Sequence, residues 1–210
     1  LNSASSIVTA SGKFFDPINP DHTKIDILDI AHALSRQTRF SGHTSRFWSV
    51  ANHSILVSRL VAPEYALTAL LHDAAEAYLV DLPSPVKNNE NLWVYRLLEN
   101  DLHAAVSKAF SLPTPWPETL HEFDRAAMWA EGDEFMHGWL DWNFKPRKAR
   151  EFAQLSRARG EIERGTGQPL INRIAGKIGF YSPAATERLF LREFNRLNSL
   201  EFERHNVKAA

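Results

Sequence analysis

The chain has 210 residues, 44% of them hydrophobic, enough for one substantial core and for one domain as the expected organisation. A formal net charge of −1 offers no global attraction to nucleic acid or to an anionic membrane, so phosphate recognition has to be local and the ligand small. The absence of cysteine excludes disulfides, thiolate metal sites and a cysteine nucleophile, which leaves His, Asp and Glu as the strong ligands.

Residues 1–23 are polar and turn-rich, with Gly12, Pro17, Asn19 and Pro20. Asp26 then opens a stretch with Ile27, Ile30, Ala31 and Leu34 at helical spacing, so the helical part begins near residue 24. Four further segments, roughly 45–61, 64–79, 91–110 and 117–140, read as helices, the second opened by Pro63 where a missing N–H is harmless. Nothing reads as strand. Pro83 and Pro85 end the third helix, and Pro113, Pro115 and Pro117 punctuate the approach to the fifth. From Lys145 to Lys177 nine Lys/Arg stand against three Glu, so 144–179 reads as a basic appended or inserted segment with a solvated face. A last helix, about 183–202, carries Leu189, Phe190, Phe194 and Leu197 at core-facing spacing. The expected fold class is all-α, a compact bundle in a single domain, built from 24–140 and the last helix. The Trp residues at 93, 116, 129, 139 and 142 read as core. No apolar run approaches the roughly 20 residues of a membrane helix, and the N-terminus lacks a signal-peptide pattern, so the expected location is the cytoplasm.

The informative stretch is Leu70-Leu71-His72-Asp73-Ala74-Ala75-Glu76, where a polar cluster interrupts an apolar segment. His72 and Glu76 fall one turn apart on one helical face. Asp73 is about 100° away from His72 on an ideal helix, yet the two can share a cation lying between their directions. Further ligands have to come from flanking helices. His53, in Val50-Ala51-Asn52-His53-Ser54, and Asp124, in Phe123-Asp124-Arg125, supply them, and imidazole with carboxylate suits one divalent transition metal such as Co, Mn, Zn or Fe. Alone, His53 reads as a core histidine and Asp124 as a helix cap. In order, they form an H…HD…D set.

The blocks Arg39-Phe40, Ser49-Val50-Ala51-Asn52-His53-Ser54, Leu71-His72-Asp73-Ala74-Ala75-Glu76, Asp81-Leu82-Pro83-Ser84-Pro85-Val86-Lys87 and Asp124 together resemble the HD-domain phosphohydrolase superfamily. The narrower similarity is to bacterial 5′-deoxynucleotidases and phage deoxynucleotide phosphohydrolases. An HD dipeptide alone is a weak signal; the His-Asp-x-x-Glu block followed by Asp-Leu-Pro-x-Pro-Val-Lys is a strong one. The resemblance covers about 24–140 and leaves 144–179 unmatched.

What the resemblance implies is an HD-domain bundle whose metal, held by His53, His72, Asp73 and Asp124, acts as Lewis acid and activates water toward phosphorus. It implies Glu76 as general acid/base, with Asp81 supporting it or orienting the leaving group; read alone, Asp81 is equally a helix-terminal residue. Arg39 and Phe40 are the implied phosphate and sugar contacts, Phe40 standing where related nucleotidases often carry Trp. His43 and Lys87 are further phosphate candidates, equally readable as turn and surface residues. The implied reaction is hydrolysis of 2′-deoxynucleoside 5′-monophosphates to nucleoside and phosphate. A deoxynucleoside triphosphate triphosphohydrolase of dATP type uses the same metal set, and a cyclic-nucleotide or alarmone hydrolase is a further option. A catalytically silent nucleotide-binding regulator is the alternative of another class. The expected partner is a small nucleotide, with no membrane and no stable nucleic acid, and a homo-oligomer is compatible with the resemblance.

Overall fold

A computed structural model of the chain describes residues 5–136 and 181–209. The first elements correct the expectation that no segment is a strand: Ile7–Val8 (β1) and Phe14–Phe15 (β2), within the turn-rich 1–23, pair antiparallel, Ile7 opposite Phe15 and Val8 opposite Phe14. In the turn, Thr9 N–H donates to the Lys13 carbonyl and Gly12 N–H to the Thr9 carbonyl, each at 2.9 Å, and Gly12 takes a φ of +80° that a Cβ would strain. Tertiary contacts hold this short hairpin. Phe15 is fully buried and stacks on Tyr78 with ring centroids 4.2 Å apart. Ser11 donates its backbone N–H (2.7 Å) and its hydroxyl (2.8 Å) to the buried carboxylate of Asp29 on the first helix. No local alternation announced these strands, because only Phe15 faces inward.

Helix α1 (Ile27–Arg36) starts where expected, with Asp26 accepting the N–H of Leu28 as its cap. Its Ile30, Ala31 and Leu34 are fully buried. Helix α2 (Val50–Ser58) is shorter than expected because the chain bends at 44–46 and is extended at Ser49, which forms a reciprocal capping box with Asn52. Every residue of α2 is buried, and α1 and the helices over Ala66–Leu70, Glu118–Phe135 and Pro183–Ala209 pack around it. It is the central post of the fold.

The expected continuous helix over 64–79 is instead a 3₁₀ turn at Pro63–Tyr65, helix α3 (Ala66–Leu70) and a second 3₁₀ turn at Ala74–Ala77. Pro83 and Pro85 do more than stop a helix: Pro83 caps a short helix α4 (Ser84–Lys87), and Pro85 lies in its first turn, where a missing N–H is tolerated. Helices α5 (Trp93–Ala109) and α6 (Glu118–Phe135) follow, burying Leu102 and Val106, and Leu120, Ala127 and Phe135. Helix α7 (Pro183–Ala209) lies along α1, α2 and α3 and buries Phe190, Phe194 and Leu197, as its spacing predicts.

The protein is all-α, the hairpin being the one sheet among the described residues. Trp93 corrects the core assignment of the tryptophans: as the first residue of α5 it is 60% exposed, alongside exposed Val94 and Leu97. No described helix is long and apolar enough to cross a membrane. The basic segment 144–179 and the end of the expected helix over 117–140 lie outside the described residues.

Candidate metal centre

A polar side chain on a helix buried all round has to find internal partners or serve chemistry. His53 of α2 does both. It has no exposure, its Nδ1 lies 2.8 Å from Glu131 Oε1, and its Nε2 lies 2.9 Å from Asp124 Oδ1 and 3.7 Å from Asp73 Oδ2. Asp124 and Glu131 are seven residues apart on α6, two turns of helix, so one face delivers both carboxylates to the same imidazole.

His72 and Asp73 reach that point because the chain leaves the helix between α3 and the following 3₁₀ turn. Leu71 (φ −103°, ψ 6°) and Asp73 (φ −97°, ψ 12°) adopt wide, non-helical turn geometry. His72 Nδ1 donates to the Ala69 carbonyl at 2.7 Å. In an unbroken helix that carbonyl would serve the N–H of Asp73. The wider turn brings His72 Nε2 to 3.2 Å from Asp73 Oδ1 and 3.8 Å from Asp124 Oδ1.

The ligand atoms of His53, His72 and Asp73 all lie within 4.8 Å of one another. A transition metal bound at about 2.0–2.2 Å separates its ligand atoms by about 3–4.4 Å, so the spacing suits a single cation. The chemistry of the donors fits as well. The Ala69 carbonyl can only accept, so His72 carries its proton on Nδ1 and turns the lone pair of Nε2 inward. Glu131 engages Nδ1 of His53 and so leaves Nε2 turned toward Asp124 and Asp73. His72 Nε2 and Asp73 Oδ2 are buried without a hydrogen-bond partner, which a bound cation would remedy. Asp124, with a side chain 33% exposed, stands on the open side.

The field points the same way. Burial works against a charged imidazole, yet His53 is pushed up to about 10 because Glu131 and Asp124 outweigh both burial and Arg39. His72 is raised too, its burial overcome by Asp73 and Asp124. Burial would raise the carboxyl of Asp124, but the hydrogen bond with His53 and the charges of His53 and His72 hold it well below the usual range. Asp73 is lowered likewise, the His72 and His53 charges overcoming its burial. A pocket that strengthens the grip of two imidazoles on protons presents the same negative field to a metal ion.

The remaining expected residues surround this core unevenly. Glu76 is buried 4% exposed, its Oε2 lacks a partner, and burial reinforced by the Asp73 and Asp81 charges raises its carboxyl well above the ordinary value. Asp81 is raised by burial, with Arg39 opposing and Asp73 adding to the shift. Arg39 Nη1 sits 3.8 Å from Asp73 Oδ2, its Nε sits 3.3 Å from Glu131 Oε2, and its guanidinium lies 5.6 Å over the ring of Phe40. Phe40 and Ser41 both take left-handed backbone (φ 53° and 52°), which turns the chain sharply after Arg39. Lys87 Nζ is held by Glu99 Oε1 at 2.6 Å and lies 3.6 Å from Glu76 Oε1. His43 is exposed, and its backbone N–H closes the turn on Phe40; it joins none of the cluster's hydrogen bonds or ion pairs.

Three participants escaped the sequence reading: Glu131, Glu99 and Gln37. Gln37 donates from Nε2 to the Glu76 carbonyl (2.8 Å) and accepts from the N–H of Asp81 at Oε1 (3.0 Å), clamping the two acidic residues together. Glu131 had a usable signal, an acidic residue on the same face as Asp124 amid Ala127 and Phe135. Glu99 and Gln37 had none.

A bundle with a buried His/Asp cluster able to hold a metal ion is the class of protein the fold and site define. No family model matches the chain. It is 45% identical over 111 residues to the uncharacterised protein YfdR of Escherichia coli strain K12, over 52% of this chain and 60% of that protein. It is 38% identical over 126 residues to an uncharacterised protein of Rhodobacter capsulatus, over 56% of this chain and 64% of that one. The chain thus spans less than two thirds of the length of these relatives.

Proposed function

We propose that the chain is a metal-dependent nucleotide phosphohydrolase that acts on 2′-deoxynucleoside 5′-monophosphates and yields nucleoside and phosphate. The observation that carries this reading is the convergence of two inward-facing imidazole nitrogens, Asp73 and Asp124 beside a buried Glu76 whose Oε2 lacks a hydrogen-bond partner and whose carboxyl is raised well above its ordinary value. His53, His72, Asp73 and Asp124 would hold the cation, which supplies Lewis acidity toward a phosphoryl oxygen and lowers the pKa of water. The likeness of the surrounding blocks to HD-domain phosphohydrolases supports the assignment.

The work of the other residues follows from their placement. Burial and two neighbouring acids raise the Glu76 carboxyl well above its ordinary value, which favours its protonated form. Glu76 gives that proton to the leaving ester oxygen as the phosphorus–oxygen bond breaks and the oxygen of water bonds to phosphorus. The proton lost by water restores Glu76, so phosphate ester and water become alcohol and phosphate. Gln37 and Lys87 keep Glu76 in place, and Asp81 stands ready to pass protons beside it. Arg39, with Phe40 against its guanidinium, receives phosphate oxygens at the Asp73 side.

Arg39 and Lys87 are each engaged by two carboxylates, which favours one phosphoryl group over the long anionic tail of a triphosphate. The test is a panel of deoxy- and ribonucleotide mono- and triphosphates with cobalt or manganese, products separated by chromatography. Equimolar nucleoside and phosphate from deoxy monophosphates is the expected result. Triphosphate release would move the reading to a triphosphohydrolase. Tight nucleotide binding without any product would make the chain a silent nucleotide-binding regulator.

A further inference from the structure

Glu131 joins the two functional halves of the centre. It is 1% exposed and projects from the same face of α6 as Asp124. Its two oxygens serve different partners, Oε1 at 2.8 Å from His53 Nδ1 and Oε2 at 3.3 Å from Arg39 Nε. A carboxylate buried this deeply is costly unless both oxygens are matched by charge or hydrogen bond, and here both are. The first contact fixes the ring of His53 with Nε2 toward Asp73 and Asp124. The second fixes the guanidinium of Arg39 at the edge of the same cluster. Without Glu131, His53 loses the acceptor that holds its Nδ1, and Arg39 keeps Asp73, 3.8 Å away, as an ion-pair partner that a cation would contest.

We infer that Glu131 is a positioning residue that couples cation binding to phosphate binding, holding the ligand His53 with one oxygen and the anion-binding Arg39 with the other. The inference rests on the metal-centre reading above. Phosphate affinity and metal affinity therefore share one support, although Glu131 touches neither cation nor phosphate.

The experiment uses the full chain and two probes, Co²⁺ alone and then inorganic phosphate added to the cobalt-loaded protein. Calorimetry reads both affinities and visible absorption reads the cobalt environment. Glu131→Ala is expected to weaken cobalt by about 10–100-fold and phosphate by about tenfold or more. Arg39→Ala is expected to weaken phosphate by about tenfold while cobalt stays within about threefold. Glu131→Gln keeps the shape but has one carbonyl oxygen for two donors, so it retains at most one of the two affinities and decides the matter if the alanine variant fails to fold. A merely structural role would lower the melting temperature and leave the cobalt spectrum and both affinities unchanged. Folded variants that bind cobalt and phosphate within about threefold of wild type would overturn the inference alone. A wild-type chain with no cobalt affinity would overturn the metal-centre reading and this inference with it.

Discussion

His72 presents Nδ1 to the carbonyl oxygen of Ala69 at 2.7 Å, and that bond selects which ring nitrogen faces His53 and Asp73. A backbone carbonyl cannot donate, so Nε2 is the unprotonated nitrogen whenever the ring is neutral. The local break in the helix and the ligand chemistry are therefore one feature.

His72→Ala removes a direct donor, and its effect should exceed the roughly 10–100-fold that losing a supporting partner costs in metal affinity. Titration with cobalt checks this. Affinity within tenfold of wild type would show that the imidazole is not a ligand.

Glu76→Gln should lower turnover by about 10²–10⁴-fold, the usual worth of a general acid/base, while cobalt affinity is kept. The amide imitates the neutral form that the buried site prefers. Glu76 has a raised pKa in the folded state, so its ionisation opposes folding as pH rises above the ordinary value, and the variant should melt no lower than wild type at neutral pH. A lower melting point, measured by calorimetry, would contradict this electrostatic account.

In the presence of a chelator, stability should fall with rising pH across the range set by His53. Its folded-state value is about 10 against an ordinary 6.5, so its contribution is complete below the ordinary value and is lost as pH rises through the folded one. The lowered Asp124 and Glu131 act in the opposite sense, contributing above the ordinary carboxylate values and losing that contribution in acid. Urea midpoints are expected to be higher near about pH 6 than near about pH 10. Cobalt should bind more tightly between those limits as pH rises, because it competes with the proton on His53. Midpoints independent of pH would refute the assignment.

Ser49→Ala removes one side of the capping box that starts α2, the helix carrying His53. A loss of about 1 kcal/mol is expected in urea unfolding, with about 2 kcal/mol as the upper range for such caps.

The helical fold was legible because α1, α5 and α7 each present a continuous apolar face over two turns or more. The same periodicity misled at 64–79: apolar residues continue through Leu71, Ala74 and Ala75, and nothing local marks the wide turn that His72 makes with Ala69. The hairpin was hidden because its stability comes from Phe15 on Tyr78 and Ser11 on Asp29, contacts distant in sequence. In the centre, His53, His72, Asp73 and Asp124 were legible from the ordered blocks that resemble HD-domain phosphohydrolases, and the structure brings them together. Gln37 and Glu99 were not, since a clamp or an ion pair between separate elements leaves no pattern within either one.

Release of phosphate from a deoxynucleoside 5′-monophosphate by the cobalt-loaded chain, compared with Asp73→Ala, tests the central claim most directly. The account predicts one phosphate per nucleoside from wild type, and from the variant neither product nor retained cobalt. Turnover surviving in Asp73→Ala, or a metal-loaded wild type that releases no phosphate, pyrophosphate or triphosphate from any nucleotide, would contradict it.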